Sequence, residues 1–536
     1  MVRDKLTCPA LLLALRYARL FLACSAALNV LLLSGFAAAQ QPASNAGAAI
    51  QPASADPAIA AALSKISPEQ IRADIAKLVT FKNRSTLSSM DTDLPPGTGV
   101  LAAADWIASE FGRISDGCGH CLEVKRDDFV EQPQQGAAAR ITKPTRIVNI
   151  YAVLRGSDPA QADRRVLVTG HYDSRNSDTF NTHDDAPGAN DDASGVAVSL
   201  ESARALTHSG IKFPATIVFA TVAGEEQGLN GSAHLAKVAK QEGWELEAVL
   251  NNDIVGGDTT PGETMQDKTA VRVFSEGVPA GTSDADLRRI QTVGAESDSP
   301  SRELARAIED VASTYFQPLH AHAGPAAPGQ ARSHVVRVVE AFHPVLIFRR
   351  DRFLRGGDHT SFNAEGFAAV RFTEWRENFN HQHQNVRVGE GTDVDGSKGQ
   401  VQFGDLLQFV DTNYVANVAR LNAATLATLA EAPGEPQNVH VLTTNLDNNT
   451  QLTWEPPKGF PAGASYEIVW RETSAPSWTN AQPVGDKLSV TLPISKDNTT
   501  FGVCSVDAAG HRSPAVYPWP TRMPSFPQPA QGKSPM

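Results

Sequence analysis

Thr216-Ile217-Val218-Phe219-Ala220-Thr221-Val222 runs directly into Ala223-Gly224-Glu225-Glu226-Gln227-Gly228. The first seven residues are apolar and rich in β-branched side chains, the composition of a strand buried on both faces. Two adjacent carboxylates follow, between glycines that permit a tight turn. In such a pair one carboxylate can ligate a metal while its neighbour carries a proton. The plain alternative is an acidic first turn favoured by the dipole of a following helix. That explains the acids but not Gly224 and Gly228.

Outward from this stretch, strands and helices alternate. Residues 146–153, 166–169 and 248–251 read as strands, and residues 195–207 and 232–241 as helices. Upstream, Ser67 caps a helix carrying Ile71, Ile75 and Leu78 at helical spacing, and residues 101–111 read as another helix. The pattern predicts an α/β fold, a mostly parallel or mixed sheet with helices on both faces. Residues 256–300 lack periodicity and are expected to be an inserted loop region before a helix at 301–315; the whole insert spans about 256–340.

Three more groups gather at predicted strand ends, where ligands bind in open α/β sheets. His171 lies in Thr169-Gly170-His171-Tyr172-Asp173-Ser174, and Asp173 could hold its second ring nitrogen, the usual outer partner of a ligating imidazole. Alone, His171 reads equally as a hydrogen-bonded loop residue. Asp191 and Asp192 sit between Gly188 and Gly195 just before a helix; Asp192 or Ser194 could be its N-cap, which does not require Asp191 as well. Asp253 follows Asn251-Asn252 at the end of a further strand.

In order and placement these residues resemble the co-catalytic di-zinc exopeptidases, the family that includes bacterial leucyl aminopeptidase. The resemblance covers about residues 60–430. It implies two zinc ions per chain, with His171 and Asp253 on one, Asp191 bridging, and Glu226 with a late histidine on the other. Glu225 would be the general base, and Asp173 completes the catalytic set beside His171. The late histidine is expected at His381 in Asn380-His381-Gln382-His383-Gln384-Asn385, with His383 the second choice and Asn385 standing where the family has Asp. His359, in Gly357-Asp358-His359-Thr360-Ser361-Phe362, is a further candidate read as supporting structure. His320, His322, His334 and His343 share no carboxylate spacing and are expected to be solvated. The expected function is an aminopeptidase acting on peptides or proteins. A carboxypeptidase or dipeptidase on the same fold is the nearer alternative, a glutaminyl cyclase relative a more distant one. A binding protein with a vestigial site is the alternative from another class.

The ends carry other signals. Residues 1–39 read as a secretory signal peptide: Arg3 and Lys5, a Leu/Ala-rich stretch, then Ala37-Ala38-Ala39 suited to cleavage. This predicts a secreted or periplasmic protein without stable membrane insertion after cleavage. Removing those residues, four basic and one acidic, takes the formal charge from −12 to −15, which disfavours nucleic-acid partners. Of the cysteines beyond residue 39, Cys118 and Cys121 are expected to form a local disulfide and Cys504 to be a buried free thiol.

Residues 40–56 are read as a disordered lead-in, 57–430 as the peptidase domain and 431–435 as a linker. Residues 436–520 form short alternating strands, a small all-β sandwich. Leu452-Thr453-Trp454-Glu455-Pro456-Pro457, Tyr466 with Trp470, and Phe501-Gly502-Val503 resemble a fibronectin type III module, which implies a spacer or a surface for partner contact. Residues 521–536 read as a Pro-rich tail.

Overall fold

The computed structural model describes residues 48–316, 342–444 and 447–522. The signal-like segment, residues 40–47, His320, His322 and His334, and most of the tail lie outside the described residues.

In chain order the elements are β1 (Ala48–Ala49), α1 (Pro57–Leu63), α2 (Pro68–Val79), α3 (Gly99–Gly117), β2 (Leu122–Glu131), β3 (Thr145–Leu154), β4 (Arg164–His171), α4 (Ala193–Thr207), β5 (Thr216–Val222), α5 (Asn230–Gln241), β6 (Glu245–Asn252), β7 (Ala270–Ser275), α6 (Asp284–Val293), α7 (Pro300–Tyr315), β8 (His343–Ile347), α8 (His359–Ala364), β9 (Ala369–Glu374), β10 (Arg387–Thr392), β11 (Lys398–Phe403) and α9 (Thr412–Glu431), followed by the β-rich C-terminal part.

Eight strands form one mixed sheet in the order β2-β3-β5-β4-β6-β9-β7-β8. The run β5-β4-β6-β9 is parallel, and β2, β3 and β7 supply the antiparallel pairings. Every residue of β5 is buried, as its unbroken apolar run requires. Helices cover both faces. α4 and α9 are buried almost all round and pack on one face, while Leu235, Ala236 and Ala239 of α5 and Phe362 of α8 pack on the other. This is the α/β architecture that the alternation of strands and helices demanded.

Three expectations need correction. Residues 256–300 are not simply a loop: β7 enters the central sheet beside β9, with Val271 and Val273 buried, and α6 follows. Six residues between polar loops are too few for alternation to stand out. Residues 48–56 are ordered, since Ala48 and Ala49 pair with Ala481 and Asn480, and Asp56 caps α1. The stretch 432–434 is buried rather than a free linker, with Arg164 donating to the Ala432 carbonyl at 2.9 Å.

The C-terminal part is a sandwich of two four-stranded sheets. Its strands are β12 (Gln437–Val441), β13 (Thr450–Glu455), β14 (Ser465–Glu472), β15 (Asn480–Gly485), β16 (Ser489–Leu492), β17 (Thr499–Val506) and β18 (Trp519–Pro520), with β1 completing one sheet. Its core is Leu452, Trp454, Tyr466, Ile468, Trp470, Phe501 and Val503. It docks on α7 through buried ions, Arg471 reaching Asp298 at 2.6 Å and Trp478 Nε1 donating to Glu303. Cys118 and Cys121 form the local disulfide after α3, and Cys504 is free and buried.

Candidate metal centre

The parallel strands deliver the site. His171 is the last residue of β4, Glu225 and Glu226 follow β5, Asp253 follows β6, and Asp191 precedes α4. All sit at the carboxyl ends of adjacent strands. Glu225 and Glu226 occupy a turn before α5, not its first helical turn. Gly224 there takes φ +79° and Gly228 φ +116°, left-handed conformations that glycine adopts without steric cost.

Two triads share one carboxylate. His171, Asp191 and Asp253 form the first, Asp191, Glu226 and His383 the second, each with candidate ligand atoms within 4.8 Å. His171 Nε2 lies 3.2 Å from Asp191 Oδ1 and 3.9 Å from Asp253 Oδ1. His383 Nε2 lies 2.9 Å from Asp191 Oδ2 and 3.1 Å from Glu226 Oε1. Within this buried set, His171 Nε2 and Glu226 Oε1 have no hydrogen-bond partner, an arrangement that costs free energy unless something else binds there.

The surroundings fix these groups. Asp173 lies beside His171 Nδ1, its main-chain oxygen at 3.1 Å and its carboxylate at 3.4 Å. Its other carboxylate oxygen accepts from Thr86 and from the Glu226 backbone N–H. Asp405 accepts from the N–H groups of Asn190 and Asp191. Burial alone would depress the His171 ring, but the neighbouring carboxylates of Asp173 and Asp191 outweigh it and hold the pKa well above the ordinary value. Burial raises the Glu225 carboxyl well above its ordinary range; His171 opposes the shift, and Asp253, Glu226 and Asp358 add to it. The triads floor an open cleft of about 640 Å³, lined also by Arg140, Arg175, Arg352, Arg355, Leu354 and Phe379.

The sequence pattern of peptidase family M28 matches residues 149–299, which hold every member of the two triads except His383. A probable zinc metalloprotease of Leptosphaeria maculans is 43% identical over 462 residues, covering 86% of this chain and 97% of the relative. The chain belongs to peptidase family M28. A second probable zinc metalloprotease, from Pyricularia oryzae, is 43% identical over 487 residues, 89% of this chain and 88% of the relative. Among solved structures, the LapA aminopeptidase of Legionella pneumophila is similar over 70% of this chain and 74% of its own, at 19% identity and a TM-score of 0.44.

Of the site residues expected in this M28 chain, the structure brings together His171, Asp173, Asp191, Glu225, Glu226 and Asp253, but not His381. His381 instead bonds Asp258 at 2.5 Å and stacks on Phe409, while His383 faces Asp191 and Glu226. Two positions apart on an irregular turn, the two rings diverge, and His383 takes φ +54° to turn inward. Spacing alone could not resolve that. Asn385 accepts from Ser177 rather than supporting either ring. His359 is buried and bonds the Arg350 carbonyl, in keeping with a supporting role.

Sequence reasoning missed Arg175 and Arg371. Arg175 Nη2 contacts His383 Nδ1 at 2.6 Å, and its Nε holds Glu226 Oε2 at 2.8 Å, leaving Oε1 turned toward His383 Nε2. Arg371 pairs with Asp253 at 2.8 Å. A signal for the latter existed: an arginine inside the apolar strand Ala369–Glu374 needs a buried acid.

Proposed function

We propose that this M28 chain is an exported exopeptidase of aminopeptidase type that uses two zinc ions. One observation carries the reading: the two oxygens of Asp191 face different histidines, Oδ1 toward His171 and Oδ2 toward His383. A carboxylate so shared has the disposition of a bridging ligand. His171 and Asp253 would hold one zinc, Glu226 and His383 the other, with Asp191 common to both. The fit is supported by the nitrogen and oxygen donors, which suit zinc, and by the unpartnered His171 Nε2 and Glu226 Oε1.

Bound zinc supplies Lewis acidity toward a carbonyl oxygen and lowers the pKa of nearby water. Glu225 belongs to neither triad, so its carboxylate is available to take the proton of the attacking water and return it to the leaving amine. Asp173 keeps the His171 ring oriented, and Arg175 does the same for Glu226. Export rests on the pattern of residues 1–39. The β-sandwich, with its fibronectin type III-like sequence, is offered as a partner-contact module.

A carboxypeptidase or dipeptidase is favoured by one specific observation. Of the arginines that line the cleft, Arg175, Arg352 and Arg355 pair with Glu226 or Glu377, whereas Arg140 bonds the Glu226 carbonyl, and its guanidinium is suited to pair with a substrate carboxylate. Hydrolysis of aminoacyl-p-nitroanilides, compared with N-acetylated and C-amidated peptides, tests both readings. Cleavage that requires a free amine supports the aminopeptidase. Cleavage of acetylated peptides that requires a free carboxylate replaces it with the carboxypeptidase. No cleavage by zinc-loaded protein would sink both.

A further inference from the structure

Away from the cleft, a second cluster forms where three distant parts of the chain meet. Asp56 precedes α1, Glu431 ends α9, and Asp507 and His511 belong to the turn after β17. One nitrogen of His511 and carboxylate oxygens of Glu431 and Asp507 lie within 4.8 Å of one another. Asp56 Oδ2 is 3.7 Å from His511 Nε2.

The histidine is the informative member. It is 6% exposed, and its Nδ1 lies 2.8 Å from Asp507 Oδ2. Its Nε2 is buried without a hydrogen-bond partner and turned toward Asp56. A carboxylate on one ring nitrogen and an open second nitrogen is how metal-ligating imidazoles are set up. The charge balance points the same way. Three carboxyl groups surround one imidazole, an excess of acid over base that a cation would offset. The adjacent Arg512 is engaged elsewhere, with Asp310 and Glu467.

We propose that His511, Glu431 and Asp56, with Asp507 holding the imidazole through Nδ1, form a structural divalent-cation site that fastens the β-sandwich to α9 and to the segment before α1. One nitrogen and several carboxylate oxygens suit zinc; calcium takes oxygen ligands in larger number, and magnesium keeps its waters. The site shares no residue with the cleft, and Asp56 and Asp507 remain partly exposed, which gives an ion access. Its consequence is mechanical. Ligands from three segments, far apart in sequence, would be held together by one ion, so metal binding adds to docking of the sandwich.

The test is zinc binding to metal-free full-length chain by equilibrium dialysis, with bound zinc counted by mass spectrometry. Wild type is compared with His511→Gln and with Glu431→Gln, the latter nearly isosteric should the first fold poorly. Both variants are expected to bind about one zinc fewer than wild type while keeping peptidase activity. In an Asp191→Ala background, which disables the cleft, the His511→Gln exchange should still remove about one zinc. That difference does not depend on what the cleft binds, so failure of the proposed function would leave it intact. Equal zinc counts in wild type and both variants would overturn the proposal and leave an ion-pair cluster only.

Discussion

Replacing His381 and His383 one at a time separates a structural histidine from a proposed metal ligand only two positions away. His381 makes a charge-assisted bond to Asp258, worth about 1.5–3 kcal/mol. Its ring also stacks on Phe409 with centroids 3.7 Å apart, a contact worth about 0.5–1.5 kcal/mol. His381→Ala should therefore destabilise the metal-free protein by about 2–4 kcal/mol and leave zinc binding at the cleft unchanged. His383 is a quarter exposed and, apart from Arg175, touches only the carboxylates of the second triad. Its removal leaves the buried carboxylates of Asp191 and Glu226 without that partner and should also lower metal-free stability, by about 3–5 kcal/mol, so zinc binding is the quantity that separates the two exchanges. It should weaken zinc binding by about a hundredfold or more, since losing even an outer-sphere partner costs about 10–100-fold. Urea unfolding of metal-free protein, paired with zinc titration of each variant, reads both quantities. Zinc loss in His381→Ala with retention in His383→Ala would refute the assignment, and with it the geometry of the turn that carries both rings.

Glu225→Gln should retain zinc and lower kcat by about 10²–10⁴-fold, roughly 3–5 kcal/mol of barrier, whereas Glu226→Gln should lose zinc; steady-state kinetics with metal analysis would show whether the two exchanges behave alike. Glu374 is fully buried, and burial, reinforced by Asp258, pushes it up to about 8 against an ordinary value of 4.5. Between those values the native chain holds a proton that the unfolded chain has released, so stability falls as pH rises. Glu374→Gln should thus gain on wild type between about pH 5 and 8 by on the order of 3 kcal/mol, and a pH-independent difference in urea unfolding would contradict it. At Gly195 an added Cβ would lie 2.2 Å from the Asn252 carbonyl and 2.4 Å from Asp192 Oδ2, so Gly195→Ala should cost about 1–3 kcal/mol or more; unchanged unfolding would show that the close approach is not real.

Much of the fold and most of the site are legible in the amino-acid sequence itself. β5 announces itself because seven consecutive residues carry no charge and five of them are apolar, which leaves no amphipathic choice, and the acids that follow it stand out against that run. His171, Asp191 and Asp253 can be read because each sits within two residues of a strand end or a helix start, where the backbone dictates position. The final histidine cannot. It lies on a turn between β9 and β10, where direction depends on the φ +54° that His383 adopts. Arg175 and Asp405 are likewise hidden, because their roles come from contacts across 208 and 214 residues of chain, respectively. Residues 48–49 escape for a related reason: a two-residue strand has no periodicity of its own and exists only because β15 offers an edge.

The adjacent acids Asp191 and Asp192 show why the motif needs both. Asp191 turns into the cleft, while Asp192 turns into the scaffold. The Asp192 carboxylate accepts from the N–H of His171 at 3.0 Å, of Gly195 at 2.9 Å and of Ile254 at 3.3 Å. It therefore caps α4 and, in the same stroke, ties the ends of β4 and β6 to it. His171 and Asp253 come from those two strand ends and Asp191 from that helix start. The whole first triad is thus positioned by one side chain that never faces the cleft. Gly195 is forced by the same geometry, because any side chain there would occupy the space of the Asp192 carboxylate. An N-cap and a metal ligand are competing explanations for the acids in this stretch; side by side, the two carboxylates divide the places, Asp192 as the cap and Asp191 as the proposed ligand that the cap positions.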